Sequence, residues 1–365
     1  MLEDLAALLE DESYAALIIA GDVYDRSIPS SQAIDLFGSF LGKIKNNRPS
    51  LEIFVIPGNH DSPSRLGFGR ELFGPLGIHF AVSAGDCDKP VLVRKGNETC
   101  AFFLLPFLYP GDFSTDDPGP LRSQSVLAEE AARRMEKTRQ ELAGSGVDHS
   151  VLAAHLFASG GAEAGSERVF IGSAEQVKAS LFEGFDYAAF GHLHRSQQIG
   201  KNAWYSGSPL SYSFDENREK CFLSVDLGKS GAMVEKIPIK PLRKLTSLQG
   251  PFARFSGEFS DDQELLAATE DYLEICLTDH GITENARDIL IKRFPRLLSI
   301  RQDNAFEKLS SSLAGSVSGK GERRDITADF KDFLLSLYGD SEHQDISGEL
   351  ELFADLALET GEENP

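Results

Sequence analysis

One arrangement, repeated four times, constrains the fold of this chain most strongly: an apolar run of strand length that ends in a polar cluster. AALIIA leads into residues 21–25 (GDVYD), and LEIFVI leads into residues 57–61 (PGNHD). SVLAA leads into His155, and DYAAF leads into residues 191–194 (GHLH). Short apolar runs bounded by turn residues are typical of strands buried in a layered sheet. If the four strand ends are neighbours in space, their Asp, Asn and His side chains form one site.

Each of these elements also has an ordinary interpretation when it is taken alone. Asp22 is then a turn aspartate, GNHD caps a helix, and His155 is a buried, hydrogen-bonded histidine. The two histidines of GHLH are then solvated loop residues. The joint occurrence of all four elements, each directly after a strand, favours a shared site.

The side chains of this predicted site indicate a particular chemistry. Asp, Asn and His form a mixed oxygen and nitrogen ligand set without a thiolate, which suits Mn, Fe or Zn better than calcium. Two such ions about 4 Å apart, sharing a carboxylate, clamp a phosphoryl group. A nearby histidine can protonate or stabilise the leaving oxygen. The pattern therefore predicts metal-dependent hydrolysis of a phosphoester.

The composition of the chain indicates its number of domains, its cellular location and how it could bind a charged substrate. The chain has 365 residues, which favours two domains, and a formal net charge of -21. Such acidity disfavours nonspecific phosphate binding by the whole surface, but a local cationic site can still work on an acidic body. No apolar stretch is long enough for a bilayer and no secretory signal opens the chain, so we expect a cytoplasmic protein without membrane contact. The four cysteines form no C-x-x-C pair, which favours free thiols.

The order of predicted elements indicates how the chain is organised. Residues 1–238 alternate strand-like and helix-like segments, including helices in SSQAIDLFGSFLGKI and SVLAEEAARRMEKTRQELAGSG and antiparallel strands in NAWYSGSPL, KCFLSVDLG and GAMVEKIPI. Residues 239–305 contain YLEICLT, ENARDILIKRF and LLSIRQ, which predict a small α+β cap. Residues 306–327 predict a flexible linker. Two amphipathic helices in residues 328–365 either fold back on the body or dock on a partner.

These segments together resemble the calcineurin-like metallophosphoesterase superfamily, and within it the SbcD family of bacterial DNA-repair nuclease subunits. The resemblance is carried by IPGNHDSPSRLGFGRELF, AAHLFASGG, FDYAAFGHLHRSQQI and WYSGSPLSYSFDE, and it continues through PLRKLTSLQG and YLEICLTD into ARDILIKRFPRLLSI. It implies an α/β fold: a four-layer β-sandwich flanked by helices, with a small α+β cap domain and a helical C-terminal tail.

The resemblance also implies a set of metal ligands. Asp22 would bridge two divalent ions, with Mn²⁺ as the expected metal. Asn59, His155 and His192 would complete one metal site. His194 would belong to the other.

The same resemblance implies roles beyond metal binding. His60 would be the catalytic histidine that faces the scissile phosphate, and Asp25 would hydrogen-bond and orient it. Arg26 would touch phosphate. Arg65 and Arg70, in the loop after GNHD, are candidates for DNA contact, with a solvated loop as the equal alternative.

The activity that the resemblance implies is that of a DNA nuclease. It would be a 3′–5′ double-strand exonuclease and a hairpin or single-strand endonuclease that acts with SbcC, an ATPase subunit. The tail would bind the base of the SbcC coiled coil, and the helix at residues 30–45 would form a homodimer within a heterotetramer. The alternatives are a metallophosphoesterase that acts on a smaller phosphodiester and a noncatalytic SbcC-binding subunit.

This chain departs from the family pattern at its start. The family opens with a strand that ends in D-x-H, and no such motif precedes Asp22. The expectation is therefore a fragment that lacks about one strand and one helix. Its second metal site would keep only Asp22 and His194, and its nuclease activity would be poor.

Overall fold

The fold is given by a computed structural model that describes residues 1–113, 123–159, 176–216, 219–257, 261–279 and 285–302, together with Phe353. The chain divides into two units, Met1–Leu245 and Thr246–Pro365. The predicted linker (306–327) and, apart from Phe353, the predicted docking tail (328–365) lie outside the described residues. The predicted domain boundaries after residues 238, 305 and 327 stay predictions.

Helices and strands alternate along the first unit, as the sequence predicts. Its helices are α1 (Leu2–Leu8), α2 (Ser31–Asn47), α3 (Pro63–Leu66), α4 (Arg70–Phe73) and α5 (Gln124–Ala143). Its strands are β1 (Ala16–Ala20), β2 (Glu52–Ile56), β3 (Ile78–Phe80), β4 (Val91–Lys95), β5 (Glu98–Leu105), β6 (His149–His155), β7 (Tyr187–Gly191), β8 (Gln197–Ile199), β9 (Ala203–Tyr205), β10 (Cys221–Gly228) and β11 (Gly231–Pro238). Short 3-10 helices lie at Gly74–Leu76, Ala84–Asp86 and Ala179–Phe182.

Local sequence signals explain where the two long helices begin. Ser30 precedes α2, and its hydroxyl oxygen accepts a hydrogen bond from the backbone nitrogen of Ala33 at 3.2 Å. Ser123 precedes α5 and accepts from the backbone nitrogen of Val126 at 3.3 Å. Such caps satisfy backbone N–H groups that the first helical turn leaves without partners.

The strands of the first unit form two larger sheets and a hairpin. β1, β2 and β3 make a parallel three-stranded sheet in that order. A six-stranded sheet has the order β4-β5-β6-β7-β9-β8, with parallel pairing from β5 through β9. β10 and β11 form an antiparallel hairpin. Neighbouring parallel strands end at the same edge of a sheet. The loops that follow β1 and β2 therefore lie side by side, and so do the loops that follow β6 and β7.

Apolar clusters pack this unit into four layers: the helices α1 and α2, the three-stranded sheet, the six-stranded sheet and the helix α5. Phe40 of α2 and Ile53 of β2 belong to a cluster between the helices α1 and α2 and the three-stranded sheet. Phe54, on the opposite face of β2, stacks on Phe102 of the six-stranded sheet with ring centroids 4.3 Å apart. Leu127 of α5 packs on the outer face of that second sheet. The alternation of faces follows the two-residue period of a strand, and the predicted α/β sandwich flanked by helices is confirmed.

A cavity of about 1000 Å³ lies within the first unit beside β1. β1 and β10 line it on two sides, and the inner face of the six-stranded sheet contributes Val151 and Trp204. Within the described residues, β1 pairs only with β2 and β10 only with β11. All five residues of β1 are consequently half-buried although they are apolar. The cavity extends to Asp22 at the carboxyl end of β1.

The second unit is a small mixed structure with its own core. Its elements are β12 (Leu245–Gly250), α6 (Phe252–Ser256), α7 (Gln263–Ala268), β13 (Tyr272–Leu277), α8 (Ala286–Arg293) and β14 (Leu297–Gln302). The sheet order is β12-β13-β14, with β13 and β14 parallel. Phe255, Ile275, Leu290 and Phe294 are buried in its core. The α+β character predicted for this part of the chain is confirmed.

None of the helices in the described part of the chain is both long enough and apolar enough to span a bilayer.

Candidate metal centre

The predicted strand ends converge, and they come from two different sheets. Asp22 follows β1 and Asn59 follows β2 in the three-stranded sheet, whereas His155 ends β6 and His192 follows β7 in the six-stranded sheet. One ligand atom from each of Asp22, His155 and His192 lies within 4.8 Å of the others.

Asn59 joins these three residues at the centre of the cluster. Its side-chain oxygen Oδ1 lies 3.1 Å from Nε2 of His155 and 3.1 Å from Nδ1 of His192. Nε2 of His155 also lies 3.3 Å from Oδ2 of Asp22. The structure therefore brings together four of the five predicted metal ligands.

Hydrogen bonding around His155 indicates that this cluster fits a cation. Nδ1 of His155 lies 2.8 Å from the carbonyl oxygen of Ala20. A carbonyl only accepts, so Nδ1 carries the proton and Nε2 of the neutral ring carries a lone pair. Nε2 then faces two other acceptors, from Asp22 and Asn59. Acceptor atoms that face one another at these distances require a proton or a metal ion between them. A ligand set of carboxylate, amide and imidazole suits a divalent transition metal.

His192 provides a second sign of the same fit. Its Nε2 is buried and has no hydrogen-bond partner among the described residues. Burial, together with the charge of His155, lowers the pKa of His192 to about 3. The imidazole is therefore neutral at physiological pH, which is the form that binds metals.

The acid and the buried base of the cluster perturb each other. Burial by itself raises the pKa of Asp22, but His155 and the backbone N–H of His60 lower it overall, well below its usual range. Burial by itself lowers the pKa of His155, but Asp22 raises it overall above the ordinary value. Asp22 is consequently a carboxylate, and a metal ion must compete with a proton for His155.

Backbone geometry at the site is unusual for residues other than glycine. Asp22 has a φ of 47° and His192 a φ of 109°. Such left-handed conformations are uncommon outside glycine and concentrate at functional sites. The backbone of residue 58 passes so close to Asp22 that only glycine fits there, because a Cβ at this position would lie 2.1 Å from Oδ1 of Asp22.

His60 lies beside the cluster and is held through its backbone and its ring. Its backbone nitrogen donates to Oδ1 of Asp22 at 3.0 Å. Its Nδ1 lies 3.0 Å from the backbone carbonyl oxygen of Asp25. The sequence prediction paired His60 with Asp25, and the contact involves the main chain of Asp25, while the Asp25 carboxylate meets Nε of Arg26 at 3.2 Å in an exposed ion pair.

The two candidate DNA-contact arginines differ in their contacts. Arg65 of α3 donates from Nη1 to the carbonyl oxygen of Ser27 at 2.9 Å, which links α3 to the loop after β1. Arg70 is exposed at the start of α4.

The fifth predicted ligand, His194, lies outside the three-residue cluster. Its Nδ1 lies 2.9 Å from Oε1 of Glu216, a carboxylate whose side chain is only 3% exposed. His194 is close enough for its charge to oppose protonation of His192.

Sequence reasoning missed two buried acids at the site, Asp61 and Glu216. The Asp61 carboxylate accepts hydrogen bonds from the backbone nitrogens of Gly58, Val23 and Tyr24 at 2.9 to 3.0 Å. Burial raises the pKa of Asp61, and these three bonds oppose the rise. In the sequence, the only indication of a role for these two acids is that each lies within a segment that resembles the SbcD family.

Comparison with known proteins agrees with this geometry. The model of the calcineurin-like phosphoesterase family matches residues 1–196, a range that includes every candidate ligand. The chain therefore belongs to the calcineurin-like phosphoesterase family, and membership implies that it binds divalent metal ions.

A curated relative narrows the assignment. The chain is 32% identical over 264 residues to the SbcD component of the nuclease SbcCD of Staphylococcus saprophyticus, across 69% of this chain and 67% of that protein. The chain is thus an SbcD-type metallophosphoesterase, and the resemblance that its motifs predict is confirmed.

Among solved structures, the T. thermophilus sulfate thiohydrolase SoxB in complex with glycerol matches with a TM-score of 0.32 and 15% identity, over 65% of this chain and 41% of that one.

Proposed function

We propose that this chain hydrolyses phosphodiester bonds in DNA as the nuclease subunit of an SbcC–SbcD-type complex. It would act as a 3′–5′ exonuclease on duplex ends and as an endonuclease on hairpins and single strands. One observation carries the proposal: Asp22, Asn59, His155 and His192 converge on one point, with His60 beside them. The curated relative, a nuclease component by name, supports the choice of nucleic acid as substrate.

The proposed ligand roles combine this convergence with the family resemblance, which is the source of the role of His194. Asp22, Asn59, His155 and His192 would hold one divalent ion, and Asp22 and His194 would hold a second. Two ions bound here, with manganese as the proposed metal, would supply an activated water and neutralise charge on the scissile phosphate. The carbonyl of Ala20 keeps the lone pair of His155 on Nε2, which is the atom that faces Asp22.

His60 would act on the leaving oxygen of the scissile bond. Because the carbonyl of Asp25 only accepts, Nδ1 of His60 carries a proton, and Nε2 is the atom that takes up and gives a second proton. In its doubly protonated form, His60 would donate the Nε2 proton to the oxygen that leaves phosphorus. Asp25 orients this ring through its main chain.

The proposed partners are DNA and the SbcC ATPase subunit. The net charge of -21 makes attraction of DNA by the whole surface unfavourable, so affinity must come from the bound metals, a local basic patch or the partner. A homodimer through α2 within a heterotetramer completes the proposal. α2 exposes Ile34 and Leu36, at 49% and 59%, which fits such a contact.

The proposal is tested by hydrolysis assays on purified chain in manganese, with and without SbcC. The substrates are a duplex labelled at either end, a hairpin and a small aryl phosphodiester. We expect release of nucleotides from the 3′ ends of the duplex and cleavage of the hairpin. His60→Ala should slow this by about 100- to 10,000-fold, the usual contribution of a general acid. His149→Gln, at the opposite end of the strand that carries His155, is the matched control and should leave the rate unchanged.

Two outcomes would contradict the proposal. Cleavage of the small diester without any cleavage of DNA would favour a phosphodiesterase of another substrate class. Tight binding to SbcC without hydrolysis of any substrate, at confirmed metal occupancy, would favour a noncatalytic subunit.

A further inference from the structure

Glu216 is a carboxylate held in a buried position beside a predicted metal ligand. Its side chain is 3% exposed, and its two oxygens have different partners. Oε1 lies 2.9 Å from Nδ1 of His194, and Oε2 lies 2.6 Å from Nζ of Lys220. Burying a carboxylate is costly unless it is paired and hydrogen-bonded, and both conditions are met here.

Lys220 connects this carboxylate to the main chain of the histidine. Its ammonium group has three N–H donors. Besides Oε2 of Glu216, Nζ contacts the carbonyl oxygen of His194 at 3.1 Å and Oγ of Ser208 at 2.8 Å. The backbone nitrogen of Ser208 also donates to the carbonyl of His194, at 3.1 Å. His194 is thus held by its ring through Glu216 and by its backbone through Lys220 and Ser208.

The contact with Glu216 determines which ring nitrogen of His194 is protonated. A carboxylate accepts and does not donate, so the proton of the neutral ring lies on Nδ1 and the lone pair on Nε2. Ligating histidines in metalloproteins commonly have this arrangement, in which a carboxylate fixes the tautomer and the ring orientation.

We infer that Glu216, clamped by Lys220, is a positioning residue that fixes His194 in the Nδ1–H tautomer, with Nε2 as its metal-binding atom. The metal part of this inference rests on the proposed function, in which His194 binds the second ion. Glu216 itself touches neither metal nor substrate in this assignment. Its effect is to remove the alternative tautomer and the alternative ring orientations of His194 before a metal arrives.

The first measurement is the tautomer of His194, by nitrogen NMR of metal-free chain labelled at histidine, at a pH where the ring is neutral. The His194 signal is assigned by its loss in His194→Gln. We expect Nδ1–H in the wild type and Nε2–H in Glu216→Gln, because the single amide oxygen pairs with the Lys220 ammonium, which only donates, and the amide NH2 then faces Nδ1 of His194. The double variant Glu216→Leu, Lys220→Met removes the acceptor and its cation together, which avoids a buried unpaired charge, and it should populate Nε2–H. Glu219→Gln, an exposed acid on the same segment, is the matched control.

The second measurement is manganese binding by titration calorimetry on the same variants, with thermal unfolding to confirm that each is folded. The double variant should weaken the ion that depends on His194 by about 10- to 100-fold, as removal of a partner of a ligating histidine does elsewhere. Glu216→Gln should weaken the same ion by a similar factor, because the amide N–H that faces Nδ1 of His194 places the ring proton on Nε2.

The outcomes separate this inference from the proposed function. Nε2–H in the wild type, or Nδ1–H retained in the folded double variant, would overturn the positioning role of Glu216. If the tautomer changes as expected but His194→Gln leaves manganese binding unaltered, Glu216 positions His194 and the proposed metal role of His194 fails.

Discussion

Oδ2 of Asp61 lies 3.0 Å from the backbone nitrogen of Val23, although 38 residues separate the two in sequence. The other carboxylate oxygen accepts from Tyr24 at 3.0 Å, and Oδ2 also accepts from Gly58 at 2.9 Å. One buried side chain therefore ties the loop after β1, which carries Asp22, to the loop after β2.

Replacing Asp61 by asparagine should destabilise the protein and loosen the metal site. The amide has one acceptor oxygen where the carboxylate has two, so at least one of the three N–H groups loses its partner, at a cost of about 1–3 kcal/mol in the free energy of unfolding. Manganese affinity should also fall, because the two loops no longer hold Asp22 and Asn59 in a fixed relation. Urea unfolding and metal titration measure the two effects.

Glu71→Gln is the control for this change, since Glu71 is an exposed acid on α4 close by in sequence. It should shift stability by no more than about 0.5 kcal/mol. An Asp61→Asn protein as stable as the wild type, with unaltered manganese affinity, would show that the carboxylate does not tie the loops.

Gly191→Ala should disrupt the site through the main chain. A Cβ at Gly191 would lie 1.6 Å from the carbonyl oxygen of Ala20, the same oxygen that binds Nδ1 of His155. Relief requires β1 to move away from β7, which we expect to cost about 3 kcal/mol and to displace His155. Chemical denaturation measures the loss of stability, and reduced manganese binding would report the displacement of His155, a proposed ligand.

Gly38→Ala is the control for Gly191→Ala, because it adds the same methyl group at a glycine where there is room for it. Gly38 lies within α2, and apart from the adjoining residues and backbone of that helix, no atom of the described residues lies within 4 Å of a Cβ placed there. The substitution should stabilise the protein by about 0.5–1 kcal/mol, because alanine favours a helix more than glycine does. Equal losses in both variants would mean that contact with Ala20 is not what excludes a side chain at Gly191.

The sequence predicted much of the site because its signals are local. Apolar runs ending in Asp22, Asn59, His155 and His192 mark strand ends, and parallel strands bring such ends to one edge of a sheet. These four residues do meet in the structure. That the first two come from one sheet and the last two from another did not follow from the pattern, since strand order depends on contacts far apart in sequence.

What the sequence did not predict lies in long-range contacts. Asp61 stood next to His60 in a motif, and nothing local showed that its oxygens reach Val23 and Tyr24. Glu216 follows His194 by 22 residues, and only the packed fold brings the two together. Asp25 was expected to orient His60, and its contact uses a backbone carbonyl, which any residue type supplies.

Tyr205 supports the chain beyond His155, and its hydroxyl can be removed alone. The hydroxyl accepts from the backbone nitrogen of Ala158 at 2.7 Å and donates to the carbonyl of Leu156 at 2.8 Å, and the residue is fully buried. Tyr205→Phe keeps the ring and leaves two buried backbone groups without partners. We expect a loss of about 2 kcal/mol in the free energy of unfolding, measured in urea. Tyr272→Phe, at a residue 39% exposed, should change stability little, and a similar loss there would point to a general effect of the missing hydroxyl.

The Asp22–His155 pair should make the stability of the metal-free protein depend on pH. Folding raises the pKa of His155 above its ordinary 6.5, so its contribution is complete below 6.5 and is lost as the pH rises through the folded value. Folding lowers the pKa of Asp22 below its ordinary 3.8, so its contribution is present above 3.8 and is lost on acidification.

Urea unfolding of chelator-treated protein should therefore show this pair stabilising the fold most between pH 3.8 and pH 6.5, and stabilising it less as the pH rises from 6.5 through the folded pKa of His155. His155→Gln should remove the decline on the alkaline side. With manganese present the dependence should reverse, because the ion displaces the proton from Nε2 of His155 and binds more tightly as the pH rises. A metal-free protein whose alkaline decline is identical in the wild type and in His155→Gln would show that this pair is not its source.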